Sequence, residues 1–297
     1  MRTWILAAGA ALMLAGQAAA AEWKKLMEPA DLAAIAGEVT VIDIRDAKTF
    51  QQGSIQGAIN APYGTWRGPK ENPGRALSDA DLTERMQSLG LEADDPVVVV
   101  YQGKNDTDFG AAARVYWTLK SAGLSQLAIL NGGLVNWLDS GKSLSTQFGT
   151  PERSTAEFAL AADWMMTRQE VRAVVDGKAD AQIIDARPLP FLQGKAKHPA
   201  AAAAGTIEGA AQITHSTWFQ ADKPRQFSPA ARVAALAREA GVEDGQARPI
   251  ASFCNTGHWA ATNWFALSEL AGIANVKLYP ESMVGWTKAD QPVVTKP

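Results

Sequence analysis

The sequence predicts an α/β protein built from two tandem copies of one module, each a mostly parallel sheet flanked by helices. Three observations predict this: an internal repeat over most of the chain, short apolar runs typical of buried parallel strands, and runs with helical spacing between them. The length of 297 residues, 47% of them hydrophobic, also exceeds what one core usually supports.

The first 21 residues have the pattern of a secretory signal peptide. Arg2 gives a positive start, residues 4–14 form an apolar stretch, and residues 17–21 offer small side chains suited to cleavage. The apolar stretch is shorter than the ~20 residues that a membrane-spanning helix needs. The sequence therefore predicts a periplasmic or secreted protein with no membrane association after the leader is removed.

The internal repeat sets the domain organisation. VIDIRDAKTFQQGSIQGAINAP, from residue 41, aligns with IIDARPLPFLQGKAKHPAAAAAGTIEGAAQI, from residue 183, and both contain Asp-x-Arg and a later Gly-x-Ile-x-Gly-Ala element. ARVYWTLKSAG matches TNWFALSELAG, and GGLVNW matches ESMVGW, each pair 149 residues apart. The repeat predicts a first domain over residues 22–145, a linker over 146–163 and a second domain over 164–297.

Within the copies, strands alternate with helices. Residues 97–101 are a continuous β-branched run, which predicts a strand buried on both faces. Residues 229–240 have helical spacing, with Ser228 as the cap and Pro229 as the first position. Residues 248–253 are predicted to form a strand and 259–270 a helix. Ligands of open α/β sheets bind beyond the carboxyl ends of the strands, where that strand meets that helix.

The only cysteine of the chain, Cys254, stands in this connection, in CNTGHWA. A single cysteine cannot form a disulfide within its chain, so it is either a small buried side chain or a functional thiol. Free amides and the positive dipole end of the following helix would favour the thiolate. Gly257 would let the loop turn so that several amides converge on the sulfur and on a bound anion. We therefore predict that Cys254 is a nucleophile.

The Asp-x-Arg strand ends, the Gly-x-Ile-x-Gly-Ala elements, the cysteine that opens a loop between strand and helix, and the late tryptophan segments together resemble the rhodanese family of tandem-domain sulfurtransferases. The resemblance covers about residues 24–293. It implies that the second domain is catalytic and the first is not, since the first copy has Gln102 in place of the cysteine. No cofactor is expected.

The resemblance implies a double displacement. The Cys254 thiolate takes the outer sulfur of a small anionic donor, holds it as a persulfide, and gives it to a thiol or cyanide acceptor or to a protein that accepts sulfur. The substrate-binding residues are predicted to be Asn255, Thr256, Gly257, His258, Trp259, Ala260, Asp185 and Arg187.

The donor stays open between thiosulfate and 3-mercaptopyruvate. The resemblance implies basic side chains after the cysteine in thiosulfate-using members, whereas this loop has Asn255 and Thr256, closer in charge to mercaptopyruvate-using members. His258 could supply positive charge when protonated. Asp185 and Arg187 could instead fix a loop, because the pair recurs in the copy without a cysteine.

Other functions fit parts of the pattern. A persulfide carrier or binding module that is not an enzyme fits the uncharged loop. A cysteine-dependent phosphatase would need an arginine near the end of the loop, and the residues after Gly257 supply none. Cys254 and His258 alone do not make a zinc site. A net charge of -3 gives no bulk attraction to nucleic acid. The insertion over 194–205 is a surface elaboration or a lid.

Overall fold

The structure, a computed structural model, describes residues 23–242, 244–246 and 248–297. The predicted signal peptide lies outside the described residues. Over the described part, the α/β class is confirmed, with two parallel sheets that are each flanked by helices. Within that part, no helix is both long and apolar enough to span a bilayer.

The first sheet has five strands: β1 (Leu26–Met27), β2 (Thr40–Asp43), β3 (Ile59–Asn60), β4 (Val97–Val100) and β5 (Leu127–Leu130). Their order is β1-β5-β4-β2-β3, and all neighbours are parallel. The flanking helices are α1 (Pro29–Ile35), α2 (Ala47–Phe50), α3 (Asp79–Ser88), α4 (Asp106–Ser121) and α5 (Gly133–Asp139), with a 3₁₀-helix at Tyr63–Trp66. The predicted doubly buried strand is β4, in the middle of the sheet, and its four valines are buried.

The second sheet has four strands: β6 (Gln182–Asp185), β7 (Ala211–Gln212), β8 (Ile250–Phe253) and β9 (Val276–Leu278). Its parallel order, β7-β6-β8-β9, repeats that of the first sheet without the edge strand β1. A single parallel bridge between Met165 and Leu278 takes the place of that edge strand.

The helices of the second half are α6 (Arg168–Val175), α7 (Leu189–Leu192), α8 (Ala230–Glu239), α9 (Trp259–Trp264) and α10 (Ser282–Lys288). Two 3₁₀-helices lie at Ala162–Trp164 and His215–Trp218, and a π-helix at Phe265–Leu270.

Two of the predicted helices differ in detail from the sequence analysis. Pro229 is the N-cap of α8 rather than its first residue, and no side chain caps that helix. The segment predicted as one helix over 259–270 is α-helical only to Trp264 and continues as a π-helix. Apolar spacing does not separate these helix types, because both bury one continuous face.

The two halves meet through α4 and the segment formed by α9 and the π-helix, which the repeat aligns with each other. Lys120 and Glu269 are equivalent positions, and they form an ion pair with a distance of 2.8 Å between Nζ and Oε1. Tyr116 is equivalent to Phe265, and their rings pack edge to face with centroids 5.0 Å apart. Contact between equivalent residues is typical of an isologous interface, so the halves dock like the subunits of a two-fold dimer.

Glu269 is the buried acceptor of this interface. Its side chain is 1% exposed and also accepts from the Tyr116 hydroxyl at 2.8 Å and lies 3.1 Å from Lys25 Nζ. Burial acts to raise the pKa of the carboxyl, but the hydrogen bond and charge of Lys120 and the charge of Lys25 outweigh it and lower the pKa below its usual value. The carboxylate is therefore ionised at neutral pH and joins three groups of the first domain.

We predict that Glu269→Gln lowers the free energy of unfolding at pH 7 by ~2 kcal/mol, less than for a fully buried pair because water partly screens the two lysines. The pKa of Glu269 is lower in the folded chain, so this stabilisation is present above the unfolded value of 4.5 and is lost as the pH falls through the folded value. Urea unfolding of both proteins from pH 7 to 3 measures this.

Glu84→Gln is the matched control, since Glu84 pairs with Arg153 on the surface. It is expected to leave the unfolding curve nearly unchanged. Parallel curves for the wild type and Glu269→Gln over the whole pH range would contradict the assigned role of the Glu269 charge.

Candidate active site

Cys254 directly follows β8 and lies just before α9, at the carboxyl edge of the second sheet. It is a free thiol and is 1% exposed. Gly257, three residues on, has a φ of +70°, which glycine adopts without steric cost. The loop therefore makes the turn that the sequence analysis predicted, with the sulfur below the surface.

Ser282, at the start of α10, holds this loop. Its Oγ accepts from the amide of Cys254 at 3.0 Å and from the amide of Gly257 at 3.1 Å, while its hydroxyl donates to the carbonyl of Tyr279 at 2.9 Å. Ser282 has a φ of +52°, and its repeat equivalent, Gly133, has a φ of +62°. The second copy thus has serine in a left-handed backbone conformation, which costs about 1 kcal/mol more than it would for glycine. In return, the serine supplies a hydroxyl that orders the cysteine loop.

The hydrogen bonds of Ser282 reduce the number of loop amides that can bind the sulfur or an anion. The sequence analysis expected several loop amides to point at the sulfur or an anion, but the amides of Cys254 and Gly257 donate to Ser282, at the start of α10. The amides of Asn255, Thr256 and His258 donate to no acceptor among the described residues. These three remain available to a sulfur anion or a ligand.

The corresponding loop of the first copy satisfies its own amides. The carboxylate of Asp108 accepts from the amides of Gly103 at 2.8 Å and Lys104 at 3.1 Å. An internal anion therefore occupies the cradle in the copy that has Gln102 in place of the cysteine. The two loops have diverged in the nucleophile and in their capacity to hold an external anion.

Asp185 and Arg187 form a buried ion pair beside the cysteine loop. Arg187 Nη2 lies 2.7 Å from Asp185 Oδ2 and also donates to the carbonyl of Gly205 at 2.8 Å. Its Nη1 donates to Asn255 Oδ1 at 3.4 Å. This geometry fixes the end of the insertion and touches the loop through Asn255. Direct contact of the pair with a donor stays a prediction.

The pair in the first copy has the same geometry. Asp43 and Arg45 lie 2.6 Å apart, and Arg45 donates to the carbonyl of Gly53 at 2.7 Å. The recurrence in a copy without a cysteine supports the interpretation that the pair fixes a loop.

His258 links the two domains as a neutral imidazole. Its Nε2 lies 2.8 Å from the carbonyl oxygen of Thr107, which can only accept, so Nε2 carries the proton. Its Nδ1 then accepts from the Tyr63 hydroxyl at 2.9 Å, and that hydroxyl accepts from Arg67 Nη1 at 2.5 Å. Burial, followed by repulsion from Arg67, lowers the pKa of His258 to about 3. His258 therefore does not supply, at neutral pH, the positive charge that the sequence analysis considered.

Two arginines of the first domain reach the cysteine loop, and the sequence analysis missed both. Arg67 Nη2 donates to the carbonyl of Thr256 at 2.6 Å. Arg114, in α4, is completely buried, and a side chain at Gly257 would overlap its Nη1. The repeat could have indicated Arg114, because it is a charged residue in an apolar helix and its equivalent in the second copy is the neutral Asn263.

The remaining predicted residues line the same region. Trp259 is half-buried and stacks on His215, with ring centroids 4.6 Å apart, while Ala260 and Thr256 are buried. Burial, and then the charge of Arg67, lower the pKa of His198, in the 194–205 insertion, below its usual value. Over the described residues, no three His, Cys, Asp or Glu side chains are grouped as metal ligands.

Comparisons with known proteins identify the repeat. The family model for the rhodanese-like domain matches residues 21–140 and again residues 167–289. A thiosulfate sulfurtransferase of Azotobacter vinelandii is 29% identical over 273 residues, which cover 90% of this chain and 96% of the relative. The sulfur carrier protein TtuD of Thermus thermophilus is 27% identical over 225 residues, which cover 71% and 74% of the two chains.

Two solved structures share the fold. The anaerobic ergothioneine biosynthesis enzyme of Chlorobium limicola, in complex with trimethyl histidine, superposes with a TM-score of 0.80 at 19% identity over 92% of this chain and 70% of that chain. The 3-mercaptopyruvate sulfotransferase SseA of Escherichia coli superposes with a TM-score of 0.74 at 21% identity over 87% and 98%.

We predict that Ser282→Ala lowers the free energy of unfolding by roughly 2 to 4 kcal/mol, because two buried amides lose their acceptor. Ser282→Gly removes the same hydroxyl without backbone strain, so it is expected to be ~1 kcal/mol more stable than Ser282→Ala. Urea unfolding measures both. The control is Ser121→Ala, since the equally buried Ser121 hydroxyl has no partner among the described residues. Equal stabilities for Ser282→Ala and the wild type would contradict the role of Ser282.

We predict that His258 stays neutral between pH 8 and pH 5, because its pKa is about 3 in the folded chain. The unfolded chain binds a proton near pH 6.5, so His258 contributes a loss of stability as the pH falls below 6.5. Imidazole NMR signals, assigned by comparison with His258→Gln, report the titration. A midpoint near 6.5 for His258 would contradict the hydrogen-bonded tautomer described above.

Proposed function

Since this chain belongs to the rhodanese family, we propose that it is a sulfurtransferase with Cys254 as the nucleophile. The reaction moves one sulfur atom from thiosulfate or 3-mercaptopyruvate, through a Cys254 persulfide, to a thiol, cyanide or a protein acceptor. The observation that carries the proposal is the placement of the only cysteine in the second-copy loop, which has free amides and is contacted by two arginines of the first domain.

The proposed reaction has two displacements. With thiosulfate, the Cys254 thiolate attacks the outer sulfur, a new S–S bond forms, and the old S–S bond breaks with its electron pair leaving on sulfite. The acceptor, as a thiolate or cyanide, then attacks the outer sulfur of the persulfide and regenerates the Cys254 thiolate. With 3-mercaptopyruvate, the thiolate attacks the thiol sulfur and a new S–S bond forms as the C–S bond breaks. The carbon keeps the electron pair of that bond and takes up a proton to give pyruvate. No net oxidation occurs in either route.

The site can stabilise each of these anions. The amides of Asn255, Thr256 and His258 have no acceptor among the described residues and are available to the charge on the sulfur. Ser282 accepts from the amides of Cys254 and Gly257. Arg67 stands at the loop with a half-buried side chain, so a donor could share its charge with the carbonyl of Thr256. Fixed donors of this kind need little rearrangement during the reaction.

The donor has to gain access to a buried sulfur. Cys254 is 1% exposed, whereas Tyr63, Arg67, His258 and Trp259 around it are half-buried. A donor reaches the sulfur only when some of these side chains move. The same cover would keep water and large thiols away from a persulfide.

A persulfide carrier is the second candidate, and the similarity to the sulfur carrier protein TtuD favours it. In that case Cys254 would receive its sulfur from a protein partner and would not react with free thiosulfate or 3-mercaptopyruvate. The buried position of the thiol fits delivery by a partner that opens the site. The two candidates differ in one observable, which is loading by small donors.

The export of the protein is part of the proposal. The pattern of residues 1–21 supports cleavage of a leader and action in the periplasm or outside the cell. Mass measurement of the mature N-terminus after expression with the leader tests this point.

We predict that the purified protein gains 32 Da, one sulfur atom, when it is mixed with thiosulfate or 3-mercaptopyruvate, and that Cys254→Ser does not. Steady-state rates with cyanide and with thiols then rank the donors. Loading by neither small donor, with loading by a persulfidated partner, would support the carrier. Absence of an adduct from any source would overturn the assignment of Cys254.

A further inference from the structure

Arg114 is a buried cation whose hydrogen bonds are largely unmade. Its side chain is 0% exposed, and Nη2 donates to the carbonyl of Gly74 at 2.9 Å. Nε and Nη1 have no partner among the described residues, and the guanidinium lies over the ring of Trp117. A buried charge without a counter-charge is costly, so the group requires an explanation.

The position of Arg114 connects it to the cysteine loop. Its Nη1 lies where the side chain of any residue other than glycine at position 257 would project. The same helix approaches the loop at Gly110, where a side chain would overlap the ring of His258. Helix α4 of the first domain thus packs directly on the loop that carries Cys254, and Arg114 is its charged contribution.

Several charged or titratable groups surround Cys254: Arg114 from α4, Tyr63 and Arg67 from the 3₁₀-helix, His258 in its own loop, Arg187 behind Asn255, and Glu281 before Ser282. Arg187 is neutralised by Asp185, and Glu281 hydrogen-bonds Asn72 and Arg168. His258 is neutral at pH 7, because burial and repulsion from Arg67 lower its pKa to about 3. The counter-charge of Arg114 must therefore come from a different group.

Two groups could provide negative charge to Arg114, namely Tyr63 and Cys254. Burial raises the pKa of Tyr63, so the phenol is neutral at pH 7. Burial, with repulsion from Arg67, lowers the pKa of Arg114 to about 9, and the guanidinium remains charged at pH 7. The sulfur of Cys254 is the remaining group: it lies in the loop on which Arg114 packs, and the proposed reaction makes it an anion as thiolate and as persulfide.

We propose that Arg114, contributed by the domain without a cysteine, is the counter-charge of the Cys254 sulfur anion. This inference rests on the proposed function, because both the thiolate and the persulfide of that reaction carry the charge. Arg114 acts through Cys254 and is a positioning residue rather than one that touches the donor. The first domain then contributes to the chemistry as well as to the cover over the site.

The repeat supports the assignment. The equivalent of Arg114 is Asn263, which uses its amide for neutral hydrogen bonds to Trp218 and Ile213. The arginine therefore stands in the helix that packs on the cysteine loop, and the equivalent position of the other copy is neutral. A purely structural role for this helix position is already met by asparagine.

The test is the pH dependence of alkylation of Cys254 by iodoacetamide, which requires no sulfur donor. We expect Arg114→Met to raise the midpoint by about one pH unit and slow the reaction at pH 7 by about tenfold, while the rate at high pH stays similar. Arg114→Lys keeps the charge and is expected to restore most of the shift. A change in the high-pH rate with an unchanged midpoint would overturn the proposal, because it would reflect access alone.

Lys120→Met is the matched control, since it removes a cation of the same helix that pairs with Glu269 instead of approaching Cys254. Its midpoint is expected to equal that of the wild type. An equal shift in Lys120→Met would also overturn the proposal, because any cation of α4 would then have the same effect.

A second measurement covers the case in which Arg114→Met does not fold. A sulfur anion that meets a counter-charge only in the folded chain adds stability at high pH, and this contribution is lost as the pH falls. The melting temperature of the wild type relative to Cys254→Ser is then expected to rise from pH 6 to pH 9. A constant difference would overturn the counter-charge.

The outcomes also separate this inference from the proposed function. An adduct of 32 Da on Cys254 without a midpoint shift in Arg114→Met would retain the sulfurtransferase and reject Arg114. A midpoint shift without an adduct from any donor would retain the ion pair and reject sulfur transfer.

Discussion

The docking of α4 on its own repeat equivalent is the contact on which the rest of the structure depends. Helix α4 has 16 residues, and most of them are buried, as are most residues of α9 and of the π-helix that continues it, so this contact holds the two halves together. The contact brings the first domain against a loop that would otherwise face solvent. Arg67, Tyr63 and Arg114 reach the cysteine loop only because this interface forms.

The site is thus shared between two domains that have diverged from one module. The second copy provides the sulfur, three free amides and the hydroxyl that orders the loop. The first copy provides the positive charge, and its own loop is closed by Asp108. Each copy has lost what the other supplies, so neither domain alone presents the complete arrangement. This division is a physical reason for the pair to persist as one chain.

The parts of the structure that rest on local signals could be predicted from the sequence. The buried valines of β4, the repeat and the loop around Cys254 are visible as periodicity, self-similarity and residue type. Ser282 and Arg114 were missed, since their roles depend on which helices meet in space. Both positions differ between the copies: Ser282 is equivalent to Gly133, and Arg114 is equivalent to Asn263. Only the structure with the two halves in contact shows what Ser282 and Arg114 contact. The neutral state of His258 likewise depends on Thr107 and Tyr63, which are far away in sequence.

The opposite charges of Lys120 and Glu269 have a consequence for how such chains avoid mispairing. A duplicated module exposes nearly the same apolar helix twice, so two first domains from neighbouring molecules could associate during synthesis. That association would set lysine against lysine, and two second domains would set glutamate against glutamate in a dry environment. Only the union of unlike halves neutralises both, so a single substituted position in each copy discriminates against homotypic exchange between molecules.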